Sequence, residues 1–378
     1  MTSEALQLQD SQHVRVGYLP YSNELDMPGD RRRFAFYASR RGIRFEIADP
    51  AKEYDLVILS ARADVSVWSQ YPKAKLVYDL IDSYLAIPRT DLKGQLRGLF
   101  KFLSRQSRYL QLDHLKAISG MCARANAVVC TTEEQRQDIL KYCNNVHTIL
   151  DAHMGVARTF KTDYRSSQPF RLVWEGLPQT LGSLSLIRPV LDRLRVRLPI
   201  QMHIVTDAKY FRYLGRYGKT STMEMVQRIL PDTYFHEWKE ADCADFICSC
   251  DLAVIPLSLD DPFASGKPEN KLLLLWRMAM PVVTSASPAY ARAMRAAGMD
   301  LTVKDEVGWF TTLERLLNDE AARREAGHLG KAYAEREFSE SRLLAQWDTV
   351  FLSLGFSFAV QAAAVPMSSS YGPRKAVV

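Results

Sequence analysis

Asp251-Leu252-Ala253-Val254-Ile255-Pro256-Leu257 is an apolar run bounded by an acid and a proline, the pattern of a short buried strand. Ser265-Gly266-Lys267-Pro268 follows and opens a helix. Proline suits the first helical position, because its missing N–H bonds to nothing there and its φ is already helical, so a helix is expected over 269–280. Pro281-Val282-Val283-Thr284-Ser285 reads as the next strand, and Ser287-Pro288 starts the next helix. The unit is β-loop-α-β-α. It puts a loop and a helix N-terminus at the carboxyl end of a buried strand, where parallel α/β sheets bind ligands.

The helix carries Leu272, Leu273, Leu274, Leu275, Trp276, Met278 and Ala279, with only Lys271 and Arg277 polar after its first turn, so it is expected to be buried. Its start gathers Lys267, Glu269, Asn270 and Lys271. Two readings stand for that start: orphan N–H groups and positive charge suited to a phosphate, or a capped core helix with solvated lysines.

Lys267-Pro268-Glu269-Asn270-Lys271 together with Met278-Ala279-Met280-Pro281-Val282-Val283 resembles the P-N-K-x-x-E-x-M-A-x-G-x-P-V-V segment of GT-B glycosyltransferases, particularly the family-4-like enzymes of bacterial surface polysaccharide synthesis. The resemblance implies an α/β fold of two Rossmann-like domains facing across a cleft. It also implies retaining transfer of a sugar from a nucleotide-sugar donor, held by the C-terminal domain, to a glycan or lipid-linked acceptor, with no cofactor or metal. The chain departs from the pattern where two glutamates are usual, at Gly266 and Leu274, and where Ala279 replaces a glycine. Glu269 is then a candidate substitute for the carboxylate on the donor ribose. The loop after the first strand of the second domain, Gly176-Leu177-Pro178-Gln179-Thr180, lacks the basic residues of many relatives. That leaves Lys267 and Lys271 to hold the diphosphate, with Gly176, Gly266, Glu269 and Asn270 as the other donor-side candidates.

The chain has 378 residues, too many for one ordinary core, so two domains are expected. Its net charge of +6 is mild and spread along the chain, which speaks for an anionic ligand or surface and against duplex nucleic acid. Cys122, Cys130, Cys143, Cys243, Cys248 and Cys250 form no C-x-x-C pair, and no secretory signal precedes Val14, so a reduced, cytoplasmic setting is expected, at the inner face of the membrane if it docks there. Cys243, Cys248 and Cys250 near His236 have the wrong spacing for the common zinc classes and are expected as buried thiols.

Strands are expected at 14–19, 54–59 and 75–80, an extended piece at 44–48, and helices from Arg31 towards Arg41 and over 184–194; such alternation marks parallel β-α-β units. Asp113 through Gly120, Ala127 to Thr132 and Glu133 to Lys141 resemble another segment of the same families, which implies a strand, a helix starting near Thr132 and a last strand of the first domain over 145–151. Pro28-Gly29-Asp30-Arg31-Arg32-Arg33 ends the first loop. Gly29 lets backbone approach a ligand, and Arg31, Arg32 and Arg33 either grip phosphate or an anionic acceptor or form a solvated basic face. Asp79 and Asp82, just past a strand's carboxyl end, either orient an acceptor hydroxyl or act as base, or cap the next helix. The expected organisation is an acceptor domain over 1–160, a polar linker near 158–169, a donor domain over 168–338, a helix over 339–355 crossing back to the first domain, and a disordered tail over 356–378. Residues 350–367 are apolar but too interrupted to span a membrane, which leaves peripheral contact open. Two other functions fit the pattern: a binding or scaffolding subunit that has lost catalysis, and, less well, a sugar-nucleotide epimerase.

Overall fold

The computed structural model describes residues 9–10, 14–88, 102–103, 106–213 and 217–358. The expectations for 1–8, 11–13 and 359–378 lie outside the described residues. A short strand β1 (Gln9–Asp10) precedes β2 (Val16–Leu19), β3 (Glu46–Ile47), β4 (Leu56–Leu59), β5 (Lys75–Asp79), β6 (Ala127–Cys130) and β7 (Val146–Thr148). The last six form one parallel sheet in the order β3-β2-β4-β5-β6-β7, with Val16 opposite Leu56 and Val77 opposite Ala127. The second half holds β8 (Phe170–Glu175), β9 (Ile200–Thr206), a hairpin of β10 (Lys209–Tyr213) and β11 (Tyr217–Ser221), then β12 (Thr233–Glu237), β13 (Leu252–Ile255), β14 (Val282–Ser285) and β15 (Thr302–Val303). Apart from the hairpin these make a second parallel sheet, β12-β9-β8-β13-β14-β15. Every residue of β13 and β14 is buried, as continuous apolar runs in a sheet covered on both faces require.

The helix Glu340–Leu352 packs on the first half. Trp347 and Phe351 join Phe34 and Tyr37 in its core; the Tyr37 and Phe351 rings stack at 5.3 Å, and Asp348 accepts from Tyr37 Oη at 2.9 Å. The chain after it does not loosen at 356. Strand β16 (Phe356–Ser357) runs parallel to β1, and Phe356 and Phe358 are buried, so apolar burial extends the ordered chain into the stretch expected as tail.

Three helices differ from expectation. The helix expected from Arg31 is two, Pro28–Arg32 and Phe34–Arg41, broken at Arg33 (φ −124°, ψ −124°), whose side chain turns inward. The one expected over 184–194 is a 3-10 stretch, Pro178–Ile187, followed by Arg188–Arg195. The helix after Pro268 spans only Asn270–Arg277, since Ala279 adopts φ +55° and stops it; the family glycine at that position fits this left-handed backbone.

Candidate active site

Among the described residues, several contacts between the two halves come from the loops and helices that follow the carboxyl ends of strands. Ser83, after β5, donates from Oγ to the Gly266 carbonyl at 2.8 Å, and the Tyr84 ring lies 5.5 Å from that of Phe263. Past β7, the Asp151 N–H donates to Asn270 Oδ1 at 3.0 Å. Glu134, after β6, pairs with Arg292, after β14, at 2.7 and 3.2 Å. Arg31, after β2, pairs with Glu240, after β12. The two sheets therefore present their carboxyl edges to one cleft, the ligand-binding edge of open α/β sheets.

On the second half, the centre is formed by the end of β8 and the start of helix Asn270–Arg277. Lys271 Nζ lies 4.5 Å from the centroid of the Trp174 ring. Its ammonium also lies where a Cβ on Gly176 would stand, with the Trp174 ring next nearest, so a side chain at 176 would displace the lysine from this position. Burial lowers the Lys271 pKa to about 8, with Glu175 opposing the shift and Lys267 adding to it. Glu175 is itself pushed up by burial, and the charges of Lys271 and Arg32 draw it back. The site thus gathers a lysine, a carboxylate and, from the other half, Arg32. Lys267 stands half-buried with Nζ 5.8 Å from the Phe263 ring.

Glu269 is the residue before that helix. Its side chain is 8% exposed, makes no capping bond, and leaves Oε2 without a hydrogen-bond partner. Burial raises its pKa to about 7, against its backbone hydrogen bond and the pull of Arg292. A buried carboxylate oxygen with no donor is a costly arrangement, and a hydroxyl or amine brought to it would be strongly held.

On the first half, the expected residues separate. Arg33 and Asp79 are buried against each other, Nε to Oδ2 at 2.7 Å and Nη2 to Oδ1 at 2.6 Å, and Arg33 Nη1 also donates to Asp151 Oδ1 and the Ile149 carbonyl. Neither therefore lines the cleft. The sequence shows their charge but not that they satisfy one another inside the sheet layer. Gly29 makes room for Tyr21, whose ring lies 2.5 Å from where a Cβ would stand, so close packing explains this glycine. Gly266 makes room for Ser83 across the cleft in the same way. Arg32 is half-buried, and its charge acts on Glu175 and on His153, a buried imidazole driven down to about 3 by burial and then by that charge. Asp82 is half-buried, with its backbone carbonyl accepting from Gln135 Nε2 at 3.0 Å.

Sequence reading missed Glu175, Ser83, Asp151, His153 and the Glu134–Arg292 pair. Glu175 had a usable signal, a charge ending the apolar run of β8 directly before a glycine. The others became partners only through the meeting of the two halves.

No family model and no curated protein matches the chain. Among solved structures, HepE of Anabaena in complex with UDP and glucose is similar at TM-score 0.61 and 14% identity, covering 90% of this chain and 100% of its own. The fold is GT-B. Sucrose-phosphate synthase of Thermosynechococcus elongatus is similar at TM-score 0.56 and 13% identity, over 85% of this chain and 76% of that one. TarM gives 0.54 and 12%, over 78% of this chain and 54% of its own, so the chain spans about half the length of TarM. At such identities the likeness is one of fold. Within the GT-B fold, the cluster of Lys271, Glu175 and Gly176 lies at the carboxyl edge of the second sheet, facing the first.

Proposed function

We propose that this chain is a glycosyltransferase that moves a sugar from a nucleotide-sugar donor to a glycan or lipid-linked acceptor, with retention and without metal, in the manner of the family-4-like enzymes its helix segment resembles. The observation that carries the reading is the Lys271 ammonium, held over Trp174 at a helix N-terminus and against Gly176, the loop that lacks basic residues of its own. With a pKa of about 8 it is mostly protonated at neutral pH. Breaking the anomeric bond leaves negative charge on the departing nucleoside diphosphate, and a preorganised ammonium beside orphan helix N–H groups stabilises that charge as it develops. Lys267 adds a second cation at the same end. Glu269, with a free oxygen, is the donor-side acceptor for a ribose hydroxyl, and Asn270 ties the helix start to Asp151 of the other half. Arg31 and Arg32 are the acceptor-side cations. Asp82 is the remaining candidate base, because Arg33 occupies Asp79.

A second reading is a GT-B protein that binds nucleotide sugar without turnover, favoured by Gly266 and Leu274 where glutamates are usual. Incubation with UDP-, GDP-, CMP- and ADP-sugars separates the two. Transfer or hydrolysis that falls in Lys271→Ala supports the transferase. A thermal shift with one nucleotide sugar and no turnover supports the binding protein. Turnover indifferent to Lys271 would place the donor elsewhere.

A further inference from the structure

Arg292 stands between two carboxylates that belong to opposite sides of the cleft. Its Nη1 and Nη2 donate to the two oxygens of Glu134 at 2.7 and 3.2 Å, the two-pronged pairing that a planar guanidinium favours. Glu134 lies in the first turn of helix Glu133–Ile139 on the first half, and Arg292 in helix Pro288–Ala296 on the second, so the pair ties the halves together at that point. Arg292 is also close enough to Glu269 for each charge to move the other's proton equilibrium. Glu269 nevertheless keeps Oε2 without a partner although its side chain is buried. One guanidinium is thus committed to Glu134 while a second carboxylate beside it goes without a donor, and burying a lone carboxylate is costly.

The exposure of the pair permits an exchange. The side chains of Arg292 and Glu134 are 43% and 40% exposed, so water and salt weaken their pairing and it can be traded for another. The other groups that sense the Glu269 charge are the phenols of Tyr290, in the same helix as Arg292, and of Tyr333, in helix Glu320–Glu337. Burial raises both phenols above their ordinary range, so they are neutral at neutral pH. Arg292 is the cation that can answer Glu269.

We propose that Arg292 is a positioning residue that pairs with Glu134 when the halves are closed and with Glu269 when they part, so that closure frees the Glu269 carboxylate for a ligand hydroxyl. In the closed arrangement both prongs of the guanidinium stay on Glu134, and Oε2 of Glu269 is open to a donor. Parting of the halves carries Glu134 away. Arg292 then turns to Glu269 and takes the oxygen that a ligand would use. A hydroxyl bound at Oε2 therefore favours closure, and closure favours the hydroxyl by the same factor, as linkage requires. That the hydroxyl belongs to a donor ribose rests on the transferase reading, whereas the exchange itself does not.

The test follows the Glu269 carboxyl by carbon NMR of the full chain labelled at its glutamate carboxyl carbons, the resonance being assigned by its loss in Glu269→Gln. In the parent its midpoint is expected at about 7. Glu134→Gln releases Arg292 and should lower that midpoint by at least about one pH unit, since an opposite charge close by favours the carboxylate. Removing Glu134 also removes its repulsion of Glu269, a part measured alone by the same substitution in an Arg292→Gln background. The fall should be at least about twofold larger where Arg292 is present. Gly266→Val, which parts the halves at Ser83 with Glu134 intact, should lower the midpoint likewise. If Glu134→Gln folds poorly, Glu134→Asp keeps an acid in the first turn but is too short for both prongs, and should still lower it. Equal falls in the two backgrounds, a midpoint unmoved in folded Glu134 variants, or a larger radius of gyration in Gly266→Val with the midpoint unmoved would each overturn the proposal. Thermal shifts with UDP, GDP, CMP and ADP add a ligand arm: whichever the parent binds should bind severalfold more weakly to Glu134→Gln. A parent that binds none counts against the transferase reading, while the titration still decides the exchange.

Discussion

Lys271 and Glu269 sit two positions apart in sequence and meet the cleft with opposite demands. If Lys271 holds the donor diphosphate, Lys271→Ala should lower kcat/KM by roughly ten- to a thousandfold, about 1.4 to 4 kcal/mol of transition-state stabilisation. Lys271→Arg should restore part of it, since a guanidinium carries the charge in a different shape. Activity should also fall as pH rises through about 8, where the ammonium loses its proton. Glu269 gives a stability signature. Its folded pKa of about 7 lies above its ordinary value of 4.5, so the folded chain binds more protons between those values. Its contribution is therefore most favourable below pH 4.5 and declines as pH rises towards 7. Glu269→Gln should raise the unliganded protein's stability at pH 7.5 by about 1–3 kcal/mol and flatten that part of the pH–stability curve. A melt series from pH 4.5 to 8 on both proteins checks this. Arg33 and Asp79 belong to the same scale with a different outcome. Arg33→Ala or Asp79→Ala should destabilise by about 3–5 kcal/mol in denaturant unfolding, since either leaves a buried charge unpaired.

At the scale of elements, the crossing helix Glu340–Leu352 determines how the chain ends. Its stripe of Leu343, Leu344, Trp347, Val350 and Phe351 is buried in the first half's core, although the helix follows the second half in sequence. Trp347→Ala should destabilise by about 3–5 kcal/mol, read as a lower urea midpoint, and the loss should appear in the melting of the first half. The start of helix Asn270–Arg277 is a different kind of element. Glu269 makes no side-chain capping bond there, so the start of this helix is not closed off by its own N-cap residue.

At the scale of the whole molecule, the described contacts between the halves at the cleft combine hydrogen bonds, ion pairs and the Tyr84–Phe263 ring contact. Gly266 is a close approach between the halves, because a Cβ there would fall 2.8 Å from Ser83 Cβ and Oγ. Gly266→Val should hold the halves apart, raising the radius of gyration in small-angle scattering and the KM for donor, with little loss of each half's own stability. An unchanged radius with unchanged kinetics would mean that the approach at Ser83 is not needed for binding.

Composition and periodicity alone determined the local grammar: the buried strands 252–255 and 282–285, the helix between them, the parallel alternation in both halves and the apolar stripe around Trp347. These are legible because burial on both faces of a sheet, or on one face of a helix, writes itself into residues near each other in sequence. The sequence also marked Lys267, Lys271, Glu269 and Arg32 as charges at strand ends. Tertiary structure alone decided which charges face the cleft. It took Arg33 and Asp79 out of it by joining residues 46 positions apart inside the first half, explained Gly29 by Tyr21, set Gly176 against Lys271, and brought Asp151 to Asn270 and Glu134 to Arg292. A charge reads the same in sequence whether its partner is water, another buried side chain or a ligand. Only the packing of distant segments fixes which of the three it meets.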